Sequence, residues 1–164
     1  MNAPRSHTAL ESSPSQSTLE DVRMPVRAKL AAAWTSLMFL YIYVDYFQLF
    51  KPGYVNGLLT SRVAEFDISQ TFVVIGVTIV AIPSLMILLS TTLPARVNRA
   101  TNLVVAALYI PVSVYNVEGE SWTWFFGLTI GLEVLLLAFI LRTAWTWPRA
   151  ARATVEHARV RAHA

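Results

Sequence analysis

Cysteine is absent from this 164-residue chain, which excludes disulfides, thiol catalysis, iron–sulfur clusters and cysteine-based zinc sites. Histidine is nearly absent too, since His7, His157 and His163 are the only three and all lie in the polar ends. No histidine pair is therefore available inside the apolar part to hold a haem or a metal. The sequence predicts neither a cofactor nor a metal site.

Charge is also scarce. Charged residues make up 14% of the chain, whereas a soluble domain averages about 25%. The net charge of +3 comes from Lys and Arg residues that flank apolar segments and form no long basic block. This distribution is typical of membrane topology signals. It predicts a lipid bilayer as the partner and no nucleic acid.

What the chain has in excess is apolar sequence, since 55% of its residues are hydrophobic. Four apolar runs cover about 30–50, 68–93, 101–117 and 122–145. A membrane-spanning helix needs about 20 apolar residues, and the third run is near the lower limit of about 17. A soluble bundle would require polar outer faces, which these runs lack, and barrel strands would alternate in polarity.

Backbone chemistry makes the spans helical, because hydrocarbon offers no partner to an open N–H or C=O group. The predicted fold class is therefore all-α, a four-transmembrane-helix bundle over 30–148. The first 29 residues are rich in Ser, Thr and Pro, without apolar periodicity, and are expected to be a disordered tail. Residues 149–164 are expected to be a basic tail.

Lys and Arg also predict how the chain is threaded. Lys51 and Arg62 lie on one side of the predicted spans, and the other eleven of the 13 basic residues lie on the side of the termini. The positive-inside rule then places both termini of this multi-pass protein in the cytoplasm. An even number of spans independently requires both termini to share a side.

Residues of the capping type predict where three of the helices begin: Asp67 or Ser69 for the second, Asn98 or Thr101 for the third, and Ser121 for the fourth. In the segment between the first two spans, a short interfacial helix and an irregular loop remain equally open.

Pro83 and Pro111 lie inside the second and third apolar runs. Each proline removes one backbone hydrogen bond and is expected to kink its helix. Pro94 and Pro148 follow the second and fourth runs closely, as prolines commonly do after a helix end.

Two acids lie inside the spans, where a charge is expensive and a functional role is the default hypothesis. Asp45 shares a helix face with Tyr41 and lies near the end of its span. Glu133 is close to mid-span, with no Lys, Arg or His at its depth. Tyr109 and Thr78 lie at that depth, and their hydroxyls are expected to bind the carboxyl. These five residues form the candidate polar site within the membrane.

Two interpretations of the acids stay open. A carboxyl that gains and loses a proton inside a membrane is what proton-coupled transport needs. Alternatively, a protonated Glu133 joins neighbouring helices through hydrogen bonds.

Gly127 and Gly131 are spaced four residues apart, as in helix pairs that approach closely. They face nearly the opposite way from Glu133, which lies two positions further along. The pair predicts helix packing, either within one chain or between two copies.

Four segments carry a resemblance to a known family: Tyr41-Ile42-Tyr43-Val44-Asp45-Tyr46-Phe47, Ile82-Pro83-Ser84-Leu85-Met86, Leu93-Pro94-Ala95-Arg96-Val97-Asn98-Arg99 and Ala144-Trp145-Thr146-Trp147-Pro148. Over residues 33–149 the chain resembles an uncharacterised family of small bacterial, largely actinobacterial, integral membrane proteins with four spans, described as a domain of unknown function. It is more loosely similar to DoxX-type proteins. The resemblance implies the four-span topology and no activity.

Three functions are compatible with these observations. The leading interpretation is a non-enzymatic accessory or structural membrane protein, which associates with a second copy or with another membrane protein. The first alternative is proton-linked transport of a small solute, which would use Glu133 and Asp45. The second alternative, a membrane-embedded enzyme acting on lipid or quinone, is least favoured, because no catalytic nucleophile or metal-ligand spacing is present.

Overall fold

The structure is a computed structural model that describes residues 24–63, 66–115 and 122–148. The remaining residues include most of the predicted N-terminal tail, the whole of the predicted C-terminal tail and the predicted cap at Ser121. Those predictions therefore lie outside the described part of the chain.

Helices dominate the described residues. The elements in chain order are α1 (Val26–Gln48), α2 (Tyr54–Leu59), β1 (Arg62–Val63), β2 (Phe66–Asp67), α3 (Gln70–Thr92), α4 (Ala95–Tyr115) and α5 (Thr123–Trp145). The long helices α1, α3 and α5 have 23 residues each, which gives about 34 Å at 1.5 Å per residue. Together with α4 they are long and apolar enough to cross a bilayer, whose hydrocarbon core is about 30 Å thick. The predicted four-helix membrane bundle is confirmed.

The helix boundaries differ from the predicted spans mainly at the start of α4. This helix begins at Ala95, six positions before the predicted residue 101, and has 21 residues. Pro94 comes directly before it, and its carbonyl accepts a hydrogen bond from the Asn98 N–H at 2.9 Å. Asn98 and Thr101 consequently lie inside α4, so the prediction that either one caps it is wrong.

The other ends agree more closely with expectation. Ser69 is the N-cap of α3, and its hydroxyl accepts a hydrogen bond from the Phe72 N–H at 3.1 Å. The first span begins at Val26 rather than at residue 30. Pro83 and Pro111 lie inside α3 and α4 as predicted.

The connection between α1 and α3 contains the short helix α2, which is one of the two alternatives that the sequence left open. Gly53 precedes α2 with φ of 84°, a left-handed conformation that glycine adopts without strain. The two-residue strands β1 and β2 follow and pair antiparallel, with Arg62 opposite Asp67. This ribbon packs closely against α2. The approach is so close that a Cβ added at Gly57 would lie only 2.9 Å from the Arg62 carbonyl oxygen. The ribbon was not predicted.

The four long helices form a ring in the order α3, α1, α5, α4. Helix α1 packs against α3 and α5, and α4 packs against α5, whereas α3 and α4 make only slight contact. We call the end that holds the start of α1 and the end of α5 the base, and the end that holds α2 the top.

Two arginines cap helix ends at the base. The Arg27 guanidinium donates to the Thr91 carbonyl at 3.0 Å, at the end of α3. The Arg99 guanidinium donates to the carbonyls of Ala144 and Trp145 at 3.2 and 3.4 Å, at the end of α5. A cation at a helix C-terminus satisfies open carbonyls and opposes the negative end of the helix dipole. The basic residues at this end therefore stabilise the fold directly, in addition to any topological role.

The apolar core lies between the mid-span level and the base. Its largest fully buried side chains are Trp34, Leu30, Leu37, Met86, Leu137 and Ile140. Trp34 meets Tyr109 edge to face, with ring centroids 6.4 Å apart. The outward faces of all four long helices carry exposed apolar residues, as the lipid-facing surface of a membrane bundle does.

A polar network is buried within this core and ties α1, α3 and α4 together. The Trp34 indole N–H donates to Asn102 Oδ1 at 2.7 Å. The Asn102 amide donates to Asn98 Oδ1 at 2.7 Å, and the Asn98 amide donates to the Ser90 carbonyl. Asn102, Asn98 and Ser90 are fully buried, and the sequence reasoning singled out only Asn98, as a helix cap. Interhelical hydrogen bonds of this kind hold membrane bundles together.

The substitution Asn102→Ala should destabilise the bundle. It leaves the Trp34 N–H and the Asn98 Oδ1 atom without their partner, and each unsatisfied buried group costs about 1–3 kcal/mol. Thermal unfolding of the purified protein in detergent, followed by tryptophan fluorescence, measures the loss. The control is Thr101→Ala, since the Thr101 hydroxyl binds the Val97 carbonyl of its own helix. Equal losses in the two variants would contradict the prediction.

Candidate functional site

A cavity of about 110 Å³ lies between the four long helices in the top half of the bundle. At about 30 Å³ for each water in the liquid, this volume holds roughly three or four water-sized groups. Every long helix contributes to its wall, which consists of Tyr41, Val44, Asp45, Gln48, Ile79, Val80, Val112, Phe126, Thr129, Ile130 and Glu133. The cavity is partly open to the surface of the chain.

Glu133 is the most deeply buried acid in the wall. It lies ten positions after the start of α5 at Thr123, about 15 Å along the helix axis, and its side chain is 4% exposed. Its Oε2 atom is buried and has no hydrogen-bond partner among the described residues. Most buried polar atoms in proteins are hydrogen-bonded, so the unpartnered oxygen is an exception that calls for an explanation.

Asp45 lines the same cavity from α1, three positions before the end of that helix at Gln48. Its side chain is exposed, in contrast to that of Glu133. The two carboxyls are close enough to interact electrostatically, and no Lys, Arg or His lines the cavity. The structure therefore brings together the two acids that the sequence singled out, on a wall without a positive charge.

Tyr41 belongs to the site, as its helical spacing from Asp45 predicted. Its hydroxyl lies 3.4 Å from the Ser113 Oγ atom. Ser113 is fully buried on α4 and lies close to the Glu133 carboxyl. Ser113 therefore lies between the phenol of α1 and the carboxyl of α5.

Tyr109 does not bind Glu133, so that prediction is wrong. Its hydroxyl donates instead to the backbone carbonyl of Ile79 on α3. The physical reason is Pro83, four residues further along α3, which has no N–H to pair with that carbonyl. In hydrocarbon the freed carbonyl needs another donor, and Tyr109 supplies it.

Thr78 also fails to reach Glu133. It lies on an exposed face of α3, and its hydroxyl donates to the Val74 carbonyl of the same helix at 2.8 Å. A threonine inside a membrane helix commonly satisfies its hydroxyl in this way. The direction of the Thr78 side chain therefore differs from the prediction.

Gly127 and Gly131 face away from the cavity, as expected from their spacing relative to Glu133. A Cβ added at either glycine would meet nothing within 4 Å. Packing of this pair against another helix of the same chain is therefore wrong, while packing against a second copy stays a prediction.

Sequence reasoning missed two hydroxyl residues of the site, Ser113 and Thr129. The Thr129 hydroxyl donates to the Phe126 carbonyl at 3.1 Å. Thr129 precedes Glu133 by four residues, which places the two on one helix face, so the spacing could have found it. Ser113 follows Tyr109 by the same interval. Within the described ranges, no three Asp, Glu, His or Cys residues lie close enough together to hold a metal ion.

Comparison with known proteins gives one match. A family model described as "Family of unknown function (DUF6326)" matches residues 23–154, which include all four long helices and every residue of the cavity wall. No curated protein and no solved structure matches the chain.

The bond from Tyr109 to the freed carbonyl can be tested with a double-mutant cycle. Tyr109→Phe should lower the free energy of unfolding by about 1–3 kcal/mol, since the Ile79 carbonyl then lacks a donor. In a Pro83→Ala background the backbone regains an N–H for this carbonyl, so the loss should fall to about half or less. Unfolding in detergent measures both values. Tyr43→Phe, at an exposed tyrosine of α1, is the control, and equal losses in both backgrounds would refute the assignment.

Proposed function

We propose a function for this chain, which belongs to DUF6326, a family of unknown function, from the geometry of its cavity. The chain carries a small solute across the membrane in a proton-linked cycle. Glu133 is the proton carrier, and Asp45 lies where the solute enters. This proposal rests on one observation above the others: Glu133, a buried acid with one oxygen unpartnered among the described residues, lines a cavity to which all four spans contribute.

The alternative role of Glu133, as a hydrogen-bonded link between helices, fits this geometry less well. A carboxyl that serves packing would use its oxygens to bind neighbouring helices. One oxygen of Glu133 is instead unpartnered, and an unsatisfied buried polar atom costs about 1–3 kcal/mol. A solute or a proton that binds at this site during function would give the oxygen a partner and offset that cost. An intramembrane carboxyl facing a cavity is typical of proton pathways in transporters.

The exposure of Asp45 supports entry of the solute from the top of the bundle. Asp45 and Gln48 lie near the top of α1, and Asp45 is exposed, whereas Glu133 is buried below them. Below Glu133 the bundle is filled by the core around Trp34 and Leu137. A solute therefore reaches Glu133 from the top in the conformation that the structure describes.

An accessory or structural function is the second candidate. The open space beside Gly127 and Gly131 favours it, because small residues at this spacing let a second helix approach closely. The partner would be a second copy of the chain or another membrane protein. We propose no enzymatic activity, because the cavity wall offers carboxyl, hydroxyl and amide groups without an activated nucleophile.

We also propose that both termini are cytoplasmic. Among the described basic residues, Arg27, Lys29, Arg96, Arg99 and Arg142 lie at or near the base, and two lie at the top. The positive-inside rule supports a cytoplasmic base. The cavity then opens to the extracytoplasmic side.

Proton-linked transport predicts that Glu133→Gln abolishes the proton movement that the solute drives. The full-length protein is reconstituted into vesicles that contain a pH-sensitive dye. Sodium, potassium, tetramethylammonium, glycine and glucose are then added separately outside. At least one solute should change the internal pH in wild-type vesicles, and Glu133→Gln should slow this change by about 100-fold or more, as removal of an essential acid–base group does.

The matched control is Asp67→Asn, since Asp67 is an exposed acid outside the long helices, 3.5 Å from Arg62. It should leave the flux unchanged. Flux in Glu133→Gln equal to that of the wild type would refute the proposal. If no solute moves protons faster than in protein-free vesicles while Glu133→Gln lowers the unfolding temperature, the acid serves packing and the second candidate is correct.

The orientation can be read with single cysteines, because the chain has none of its own. Asn56→Cys on α2 and Ala95→Cys at the start of α4 introduce exposed positions at the top and the base. A membrane-impermeant maleimide should label the Asn56 variant in intact cells, and the Ala95 variant only after permeabilisation. The reverse pattern would contradict cytoplasmic termini.

A further inference from the structure

We propose that the cavity binds a small methylated ammonium ion and exchanges it for a proton. This inference rests on the proposed function for the site and adds the chemical class of the solute. It follows from the charge of the wall, the polarity of its remaining surface, an aromatic ring and the volume.

The charge of the wall favours a cation. Two carboxyls, those of Asp45 and Glu133, face the cavity, and no cationic side chain lines it. Glu133 is buried, and one of its oxygens lacks a partner among the described residues. An ionised carboxylate inside a membrane bundle needs a counter-charge. A bound cation supplies the counter-charge that the wall lacks.

The rest of the wall favours an organic cation over a metal ion. Six of the eleven lining residues carry aliphatic or aromatic side chains without a polar atom, namely Val44, Ile79, Val80, Val112, Phe126 and Ile130. A hard metal cation takes six or more oxygen ligands. The wall has only two carboxyls, and within the described residues no three Asp, Glu, His or Cys side chains lie close enough together to hold a metal ion. Methyl groups on nitrogen would pack against the apolar side chains without any loss of hydrogen bonds.

An aromatic ring in the cavity wall also favours an organic cation. Phe126 is buried in the cavity wall. In the structure its ring interacts with the ammonium group of Lys51, whose Nζ atom lies 5.8 Å from the ring centroid. Aromatic faces bind quaternary ammonium groups through their quadrupole. The contact with Lys51 shows that this ring of the wall attracts a cation in the structure.

The volume favours a small ion. About 110 Å³ corresponds to roughly three or four water-sized groups. Tetramethylammonium, a nitrogen with four methyl groups, is close to this size. Tetrabutylammonium is far larger.

The exchange balances in charge. In the proposed exchange, one carboxyl of the empty site carries a proton. When the cation binds, the O–H bond breaks, the proton leaves to water, and the carboxylate retains the electron pair and pairs with the cation. Each bound cation displaces one proton, and no covalent bond to the solute forms.

Isothermal titration of the full-length protein in detergent with tetramethylammonium chloride tests the inference. This probe carries a permanent charge, so it cannot cross or partition as a neutral amine. We expect saturable binding that weakens as the pH is lowered, with about one proton released per bound ion. The number of protons is measured from the dependence of the binding heat on the buffer. Tetrabutylammonium should not bind.

Variants assign the binding to the two acids. Glu133→Gln and Asp45→Asn should each weaken binding by about 30-fold or more, as removal of one partner of a buried charge pair does. Glu133→Asp, which keeps the charge on a shorter side chain, should restore part of the affinity. Asp67→Asn should bind like the wild type, and the unfolding temperature of each variant shows that it is folded.

The outcomes separate the inference from the proposed function. Absence of tetramethylammonium binding, or equal binding by Glu133→Gln, overturns the inference. If sodium or another solute then drives Glu133-dependent proton flux, proton-linked transport still stands. Conversely, Glu133-dependent binding of tetramethylammonium without any flux supports the inference and refutes transport.

Discussion

The satisfaction of polar groups inside hydrocarbon is the constraint on which this structure depends. Water is unavailable within the bilayer core, so each open N–H, C=O or hydroxyl must find a partner within the protein. The bond from Tyr109 to the Ile79 carbonyl shows that this requirement applies even to a single backbone carbonyl. A proline opens α3 at that carbonyl, and a side chain from a different helix closes the gap. The arginine caps at the base serve the same requirement at two helix ends.

Against this background the unpartnered oxygen of Glu133 is informative. The Trp34, Asn98 and Asn102 side chains show that this bundle does satisfy deeply buried polar groups when packing is their role. Glu133 is buried to a comparable degree, but its Oε2 atom has no hydrogen-bond partner among the described residues. Glu133 lines a cavity together with Asp45. The hydrogen-bonded cluster of Trp34, Asn98 and Asn102 fits a structural role. The cluster of Glu133 and Asp45, which lines a cavity, fits a binding role.

The sequence predicted the four helices because the length of an apolar run, a one-dimensional property, decides whether a helix spans a bilayer. It also predicted that Asp45, Tyr41 and Glu133 belong together, since acids are excluded from lipid-facing positions. It misplaced Tyr109 and Thr78, because depth along a helix can be counted from residue numbers whereas the direction of a side chain depends on helix rotation. It missed Asn102 for a related reason. A single polar residue near a helix end resembles an interfacial residue until its partners on other helices are known.

Helices α3 and α4 make only slight contact, and we call the line along which they meet the seam. At the base the seam is fastened by the Asn98 amide on the Ser90 carbonyl, and near mid-span by Tyr109 on Ile79. Above Ile79 the structure describes no hydrogen bond between the two helices. A separation of α3 from α4 that keeps both bonds must therefore pivot about the lower part of the seam. Such a motion changes the width of the upper opening and leaves the packed half of the bundle undisturbed.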